Sequence, residues 1–159
     1  MLFMLVRHGI AEERGKVPDA LRELTKEGKE KIEEAYPKLC AKLKNNSVRL
    51  VSSPLVRARQ TAEVFGKLLD VEVELRDWVA AGEMNELIRC IDETRDDVLI
   101  VVGHEPTLSY WCERFGFKVG WMKKGSVAFF EVDRGIDFFA YLRIKDMIEE
   151  KGKKIIQSL

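Results

Sequence analysis

Two histidines, three cysteines and four prolines in 159 residues leave little raw material for several common kinds of chemistry. Cys40, Cys90 and Cys112 are odd in number, widely spaced and without paired-ligand spacing, which excludes a disulfide framework and a zinc site. They are expected to be reduced, packed thiols. Net charge is missing too: 27 basic residues balance 27 acidic ones, which argues against a nucleic-acid or anionic-membrane partner and confines any phosphate recognition to a local patch. Long hydrophobic runs are absent, since the first, Leu2 to Val6, leads directly into Arg7-His8 and resembles neither a signal peptide nor a membrane span. Cytoplasmic residence is the expectation. With no internal repeat and no low-complexity linker, the length suits one domain over residues 1–159.

What is present alternates between strand and helix patterns. Leu2 to Val6, Val48 to Ser52 and Val98 to Val102 read as strands, the first and last as apolar runs of the kind buried in a parallel sheet. Thr25 to Lys44 carries Ile32, Ala35, Tyr36, Leu39 and Leu43 at helical spacing, with Thr25 as an imperfect cap, and Val56 to Leu69 repeats the pattern. Val71 to Leu75 alternates like a half-buried edge strand, Asp77 to Glu83 reads as a loop, and Met84 to Glu93 as a helix. A helix from Pro106 to about Arg114 follows, then a hairpin of Ser126 to Val132 and Asp137 to Ile144. The Lys-rich end from Lys145 reads as a solvated, fraying helix. This order favours an α/β fold.

Both histidines lie just past strand-like runs, in Arg7-His8-Gly9 and Gly103-His104-Glu105. In open α/β sheets the carboxyl ends of strands gather ligands and catalytic groups, and imidazole suits nucleophilic or acid/base work near neutral pH. Gly9 would let the backbone turn sharply toward a ligand. A strand-end Arg-His pair can equally cap carbonyls, so the tripeptide alone decides nothing. The third strand end, Ser52-Ser53-Pro54, introduces a helix with Arg57 in its first turn, where free N–H groups also favour anions. Arg59 sits about 200° further round and is expected to face solvent. Ser53 is a candidate hydrogen-bond donor near a phosphate, and Ser126 a weaker one. Glu105 reads as a cap for the helix that follows, and Trp78, Trp111 and Trp121 as core or rim packing, because no basic stripe accompanies them.

Arg7-His8-Gly9, Ser53 to Ala62 with Arg57, and Gly103-His104 resemble, in order and position, the histidine phosphatase superfamily, also called phosphoglycerate-mutase-like. The resemblance runs from Met1 to about Val132. With Arg22-Glu23-Leu24-Thr25-Lys26-Glu27-Gly28 and the short length, the chain looks like the SixA-type phosphohistidine phosphatases. It implies a three-layer α/β/α sandwich with a mostly parallel central sheet and no large cap insertion. It also implies that His8 attacks phosphorus to form a phosphohistidine intermediate, while Arg7, Arg57 and His104 hold the phosphoryl oxygens. A site without a cap would admit a phosphorylated side chain on another protein, such as a phosphorelay component.

No metal and no cofactor are expected where two arginines and a second histidine supply the positive field; a zinc site of His8, His104 and Glu105 would match no zinc motif and leave the arginines unexplained. In larger members of the superfamily an acid between Arg57 and His104 protonates the leaving oxygen. Glu83 is the best positional match, ahead of Asp77 and Glu86, though it reads equally as a charge at the N-terminus of the helix from Met84. The alternatives are a phosphomonoesterase for small phosphorylated metabolites or phosphoserine-type esters, and a noncatalytic phosphate-binding module, which would not need the nucleophile.

Overall fold

Where an apolar run has no polar alternation, both faces of its strand must be covered. The computed structural model, which describes residues 1–149 and 152–159 in full and residues 150 and 151 by backbone alone, bears this out. Strands β1 (Leu2–Arg7) and β4 (Val98–Gly103) are the two central strands of a six-stranded sheet in the order β3-β2-β4-β1-β5-β6, with β2 at Val48–Ser52, β3 at Val73–Leu75, β5 at Val127–Val132 and β6 at Ile136–Leu142. The first four strands are mutually parallel. β5 runs antiparallel to β1, and β6 antiparallel to β5.

Helices close both faces. Met4, Val6, Leu50, Ile100, Val102 and Phe129 pack under α1 (Lys26–Leu43), α2 (Val56–Leu69), α6 (Ile144–Ile148) and α7 (Glu150–Gln157). Phe3, Leu5, Val51, Leu99, Val101 and Phe130 point the other way, against α3 (Asp77–Ala81), α4 (Met84–Glu93) and α5 (Thr107–Arg114). The period-two alternation of strand side chains thus splits one sheet into two cores. The fold is the expected α/β/α sandwich. It has no large insertion between α2 and β4.

Three local expectations need correction. The stretch read as a loop contains α3, a helix of five residues that is too short to show a periodic apolar face; Val79 is buried and holds it down. The Lys-rich end is two helices, and it is anchored: Met147 and Ile156 are buried in the core under α1. Thr25 is a full cap, its hydroxyl oxygen accepting from the Gly28 N–H at 2.9 Å. The three cysteines are free and buried. No helix of the described residues is long and apolar enough to cross a membrane.

Register places the candidate site. Arg7 pairs with Gly103 and Ser52 with Val102, so β1, β2 and β4 end level. The His8 N–H donates to the Gly103 carbonyl (3.2 Å) and the Ser53 N–H to that of Val102 (3.0 Å), carrying the ladder one residue beyond each strand. Because β5 runs against β1, its far end, with the turn at 133–135 and the chain start at Met1, lies at the opposite edge; Val132 donates its N–H to the Met1 carbonyl.

Candidate active site

Two strand ends, those of β1 and β4, the first turn of α2 and the loops at 11–22 and 121–124 converge on a cleft of about 150 Å³ lined by Arg7, His8, Arg14, Arg22, Arg57, His104, Glu105, Trp121 and Lys124, with Ala11 beside them. Larger depressions exist, the largest of them bordering this cleft at Arg7 and Lys124, but this one holds both histidines, whose rings are 5.3 Å apart. Five cationic side chains face one carboxylate here in a chain of zero net charge. The anion-binding potential is therefore local.

His8 is 7% exposed. Its Nδ1 lies 2.7 Å from the carbonyl oxygen of Gly9. A carbonyl only accepts, so Nδ1 carries the proton and the lone pair is on Nε2. Burial, opposed by the bond to Gly9 and reinforced by His104, Arg57 and Arg7, pushes the His8 pKa down to about 3. The ring is neutral at physiological pH. Gly9 in turn donates its N–H to the hydroxyl of Thr61 (3.1 Å), which donates to the Arg57 carbonyl in α2 (2.8 Å). The backbone beside His8 is thereby tied to the helix that carries Arg57. The sharp turn expected of Gly9 is not there: its φ is not positive, and a Cβ would make ordinary contact, 3.4 Å, with Ile32 and Leu24.

His104 is equally buried, and burial together with Arg57 pushes its pKa down to about 4. Its Nε2 is 2.6 Å from Ser53 Oγ, which already accepts from the Leu55 N–H. The hydroxyl proton of Ser53 has no other acceptor among the described residues, so it goes to Nε2 and leaves His104 protonated at Nδ1. Ser53 is fully buried and does not line the cleft; its role here is to set the tautomer of His104. Ser126, bonded to Lys123 and Tyr141, is also off the cleft.

Arg7 donates through Nη1 to the Met122 carbonyl (2.5 Å) and stacks 5.7 Å from the Trp121 ring centre. The opposite side of that loop is held by Glu105, which accepts from the Met122 N–H (2.7 Å) and from the backbone N–H of Ser109 (2.7 Å) as well as its hydroxyl. Glu105 is thus the expected cap of α5 and a loop anchor as well. Arg57 is 5% exposed, whereas Arg59 faces solvent in an ion pair with Glu63 (2.7 Å), as helical geometry requires.

Among the described residues, the buried side-chain polar atoms without a partner are Arg7 Nε, Arg57 Nε, His104 Nδ1 and Trp111 Nε1. The first three are donors on cleft residues. Buried donors are almost always satisfied, so a cluster of orphans marks where an acceptor-rich group belongs. Glu83 is exposed at the start of α4, makes no side-chain cap and does not line the cleft; Asp77 is exposed as well. Arg14, Arg22, Trp121 and Lys124 were not foreseen as site residues. The loop that carries the first two has no periodicity to betray it, and the only signal was the arginine just before the Thr25 cap.

A family model described as the histidine phosphatase superfamily (branch 1) matches residues 3–86, more than half of the chain. An uncharacterized protein of Picosynechococcus sp. is 32% identical over 117 residues, 70% of each chain. In fold, a protein of Agrobacterium tumefaciens described as the phosphohistidine phosphatase SixA superposes with a TM-score of 0.76 at 18% identity, over 89% of this chain and 97% of that one. The protein histidine phosphatase SixA complexed with tungstate gives 0.75 at 20% identity, over 92% and 99%. A mycobacterial glucosyl-3-phosphoglycerate phosphatase in complex with VO3 gives 0.67 at 14% identity, over 87% and 96%. With strand-end histidines, a first-turn arginine and a matching family model in one chain, this protein belongs to the histidine phosphatase superfamily.

Proposed function

We propose that the protein is a metal-independent phosphatase that removes phosphoryl groups from histidine side chains of other proteins, with His8 as the nucleophile. The observation that carries the reading is the neutral His8 ring, locked with Nε2 as its free lone pair beside three unpartnered donors. In the first step Nε2 attacks phosphorus in line, the P–N bond of the substrate breaks, and its electron pair leaves with the substrate imidazole. Arg7, Arg57 and the Nδ1–H of His104 stabilise the charge on the equatorial oxygens. Water then attacks the phosphorus on His8, the P–Nε2 bond breaks with its electron pair returning to Nε2, both protons of the water leave with the phosphate, and neutral His8 is restored.

The leaving group decides the substrate class. An alkoxide is strongly basic and needs an acid, yet Glu105, the one carboxylate among the described residues lining the cleft, is occupied by its three donors, and Glu83 is outside. Phosphohistidine protonated on its other nitrogen leaves as neutral imidazole and needs no enzyme acid. The two fold relatives that hold tungstate and VO3 agree with an oxyanion site. An acid-labile phosphoryl group on His8 should be trapped within one turnover of a phosphohistidine peptide, and should be absent from His8→Ala. Phosphoserine peptides and sugar phosphates should turn over at least a hundredfold more slowly in kcat/KM. Preference for an ester, or turnover without label on the enzyme, would overturn the proposal.

A further inference from the structure

Arg57 does not hold its position through the cleft. Its Nη1 donates to the Asp19 carbonyl oxygen (2.8 Å) and its Nη2 lies 3.3 Å from Asp19 Oδ2. The other carboxylate oxygen, Oδ1, takes Arg22, with both Nε and Nη2 at 2.9 Å. Arg22 is fixed at its remaining corner by the Glu12 carbonyl (2.8 Å). Asp19 opens a single 3-10 turn (Asp19–Leu21) that follows Pro18. That side chain is more than half exposed, and among the described residues its partners are the two arginines. It carries no packing duty.

The arrangement solves a specific electrostatic problem. Arg22 and Arg57 are both buried and both line the cleft, so their charges repel, and long cationic side chains that repel will splay. One carboxylate, giving one oxygen to each, offsets the repulsion and fixes two planar guanidinium groups. It grips Arg57 by the Nη edge. The Nε–H is left as the donor without a partner.

We propose that Asp19 is a positioning residue that aligns Arg57 and Arg22 for the transition state, without itself touching the substrate. The idea rests on the phosphatase reading for its kinetic consequences, but not for its structural one. Fixed donors matter most where charge develops, so loss of Asp19 should cost the transition state more than the ground state. In Asp19→Ala we expect kcat to fall at least tenfold with KM within threefold. Inhibition by vanadate should weaken at least tenfold, against less than threefold for inorganic phosphate. Asp19→Asn keeps one acceptor and should lie between the two. In parallel, 15N relaxation should show the Arg57 Nε–H ordered in the wild type and mobile in Asp19→Ala. A wild-type kcat in the alanine variant, a loss confined to KM, or an Arg57 Nε–H that stays ordered would each overturn the assignment. If the wild-type protein neither turns over phosphohistidine nor binds vanadate, the phosphatase reading falls, and the relaxation measurement still decides the role of Asp19.

Discussion

His8 and His104 are imidazoles kept neutral by burial, and this sets the acid side of the protein's behaviour. Each folded-state pKa lies below the usual 6.5, at about 3 and about 4. The unfolded chain therefore binds more protons than the folded one once the pH drops below 6.5, and stability falls with it. From pH 7 to pH 5 the loss should approach about 2 kcal/mol per histidine, read as a lower urea midpoint, and His8→Ala and His104→Ala should each remove their share. An unchanged midpoint would show that the rings are not buried in their neutral form. The same depression predicts that kcat/KM does not fall between pH 8 and pH 5, where an ordinary imidazole nucleophile would already be protonated. Arg57 and Arg59 provide a second contrast. Arg57→Ala should lose at least a hundredfold in kcat/KM because a buried donor in the cleft of His8 is gone, whereas Arg59→Ala, which breaks only an exposed pair with Glu63, should stay within twofold.

At the scale of elements, α6 and α7 deserve the energetic attention that their lysines disguise. Met147 is fully buried against α1, so Met147→Ala should destabilise the fold by about 2–4 kcal/mol, measured by denaturant unfolding, instead of the few tenths expected of a solvated terminus. The reason this was hidden in the sequence is physical. Five residues of α6 cannot display a helical period, and the lysines between 145 and 154 make the segment read as polar around Met147 and Ile156. The longer elements were legible because α1, α2 and α4 each span more than two turns with an apolar stripe, and α2 and α4 end where their patterns do. Of the candidate site, Arg7, His8, Arg57 and His104 were legible because strand ends and a helix start fix their positions from local pattern alone. Asp19, Arg14 and Arg22 were not, since the irregular loop bearing them reaches the cleft through tertiary contacts. Ser53 was foreseen at a phosphate and instead lies behind His104, a distinction of depth that no linear spacing encodes.

At the scale of the whole molecule, the positive field over the cleft comes from guanidinium and ammonium groups. Among the described residues no cluster of three His, Cys, Asp or Glu side chains is placed to hold a metal ion. Activity in the presence of excess EDTA should therefore equal that without it; loss on chelation with recovery on adding a divalent ion would refute the metal-free mechanism. Because the molecule carries no net charge, only the local field attracts substrate, and raising ionic strength should increase KM with little change in kcat. The direction of the strands has a practical consequence. Six residues of β1, about 20 Å of extended chain, separate the cleft from the edge that bears Met1 and the turn at 133–135, and a Cβ added at Gly135 meets nothing. That edge is a handle: a surface linker, a fluorophore or a fused partner attached there leaves the mouth of the cleft open to something as bulky as a folded phosphoprotein.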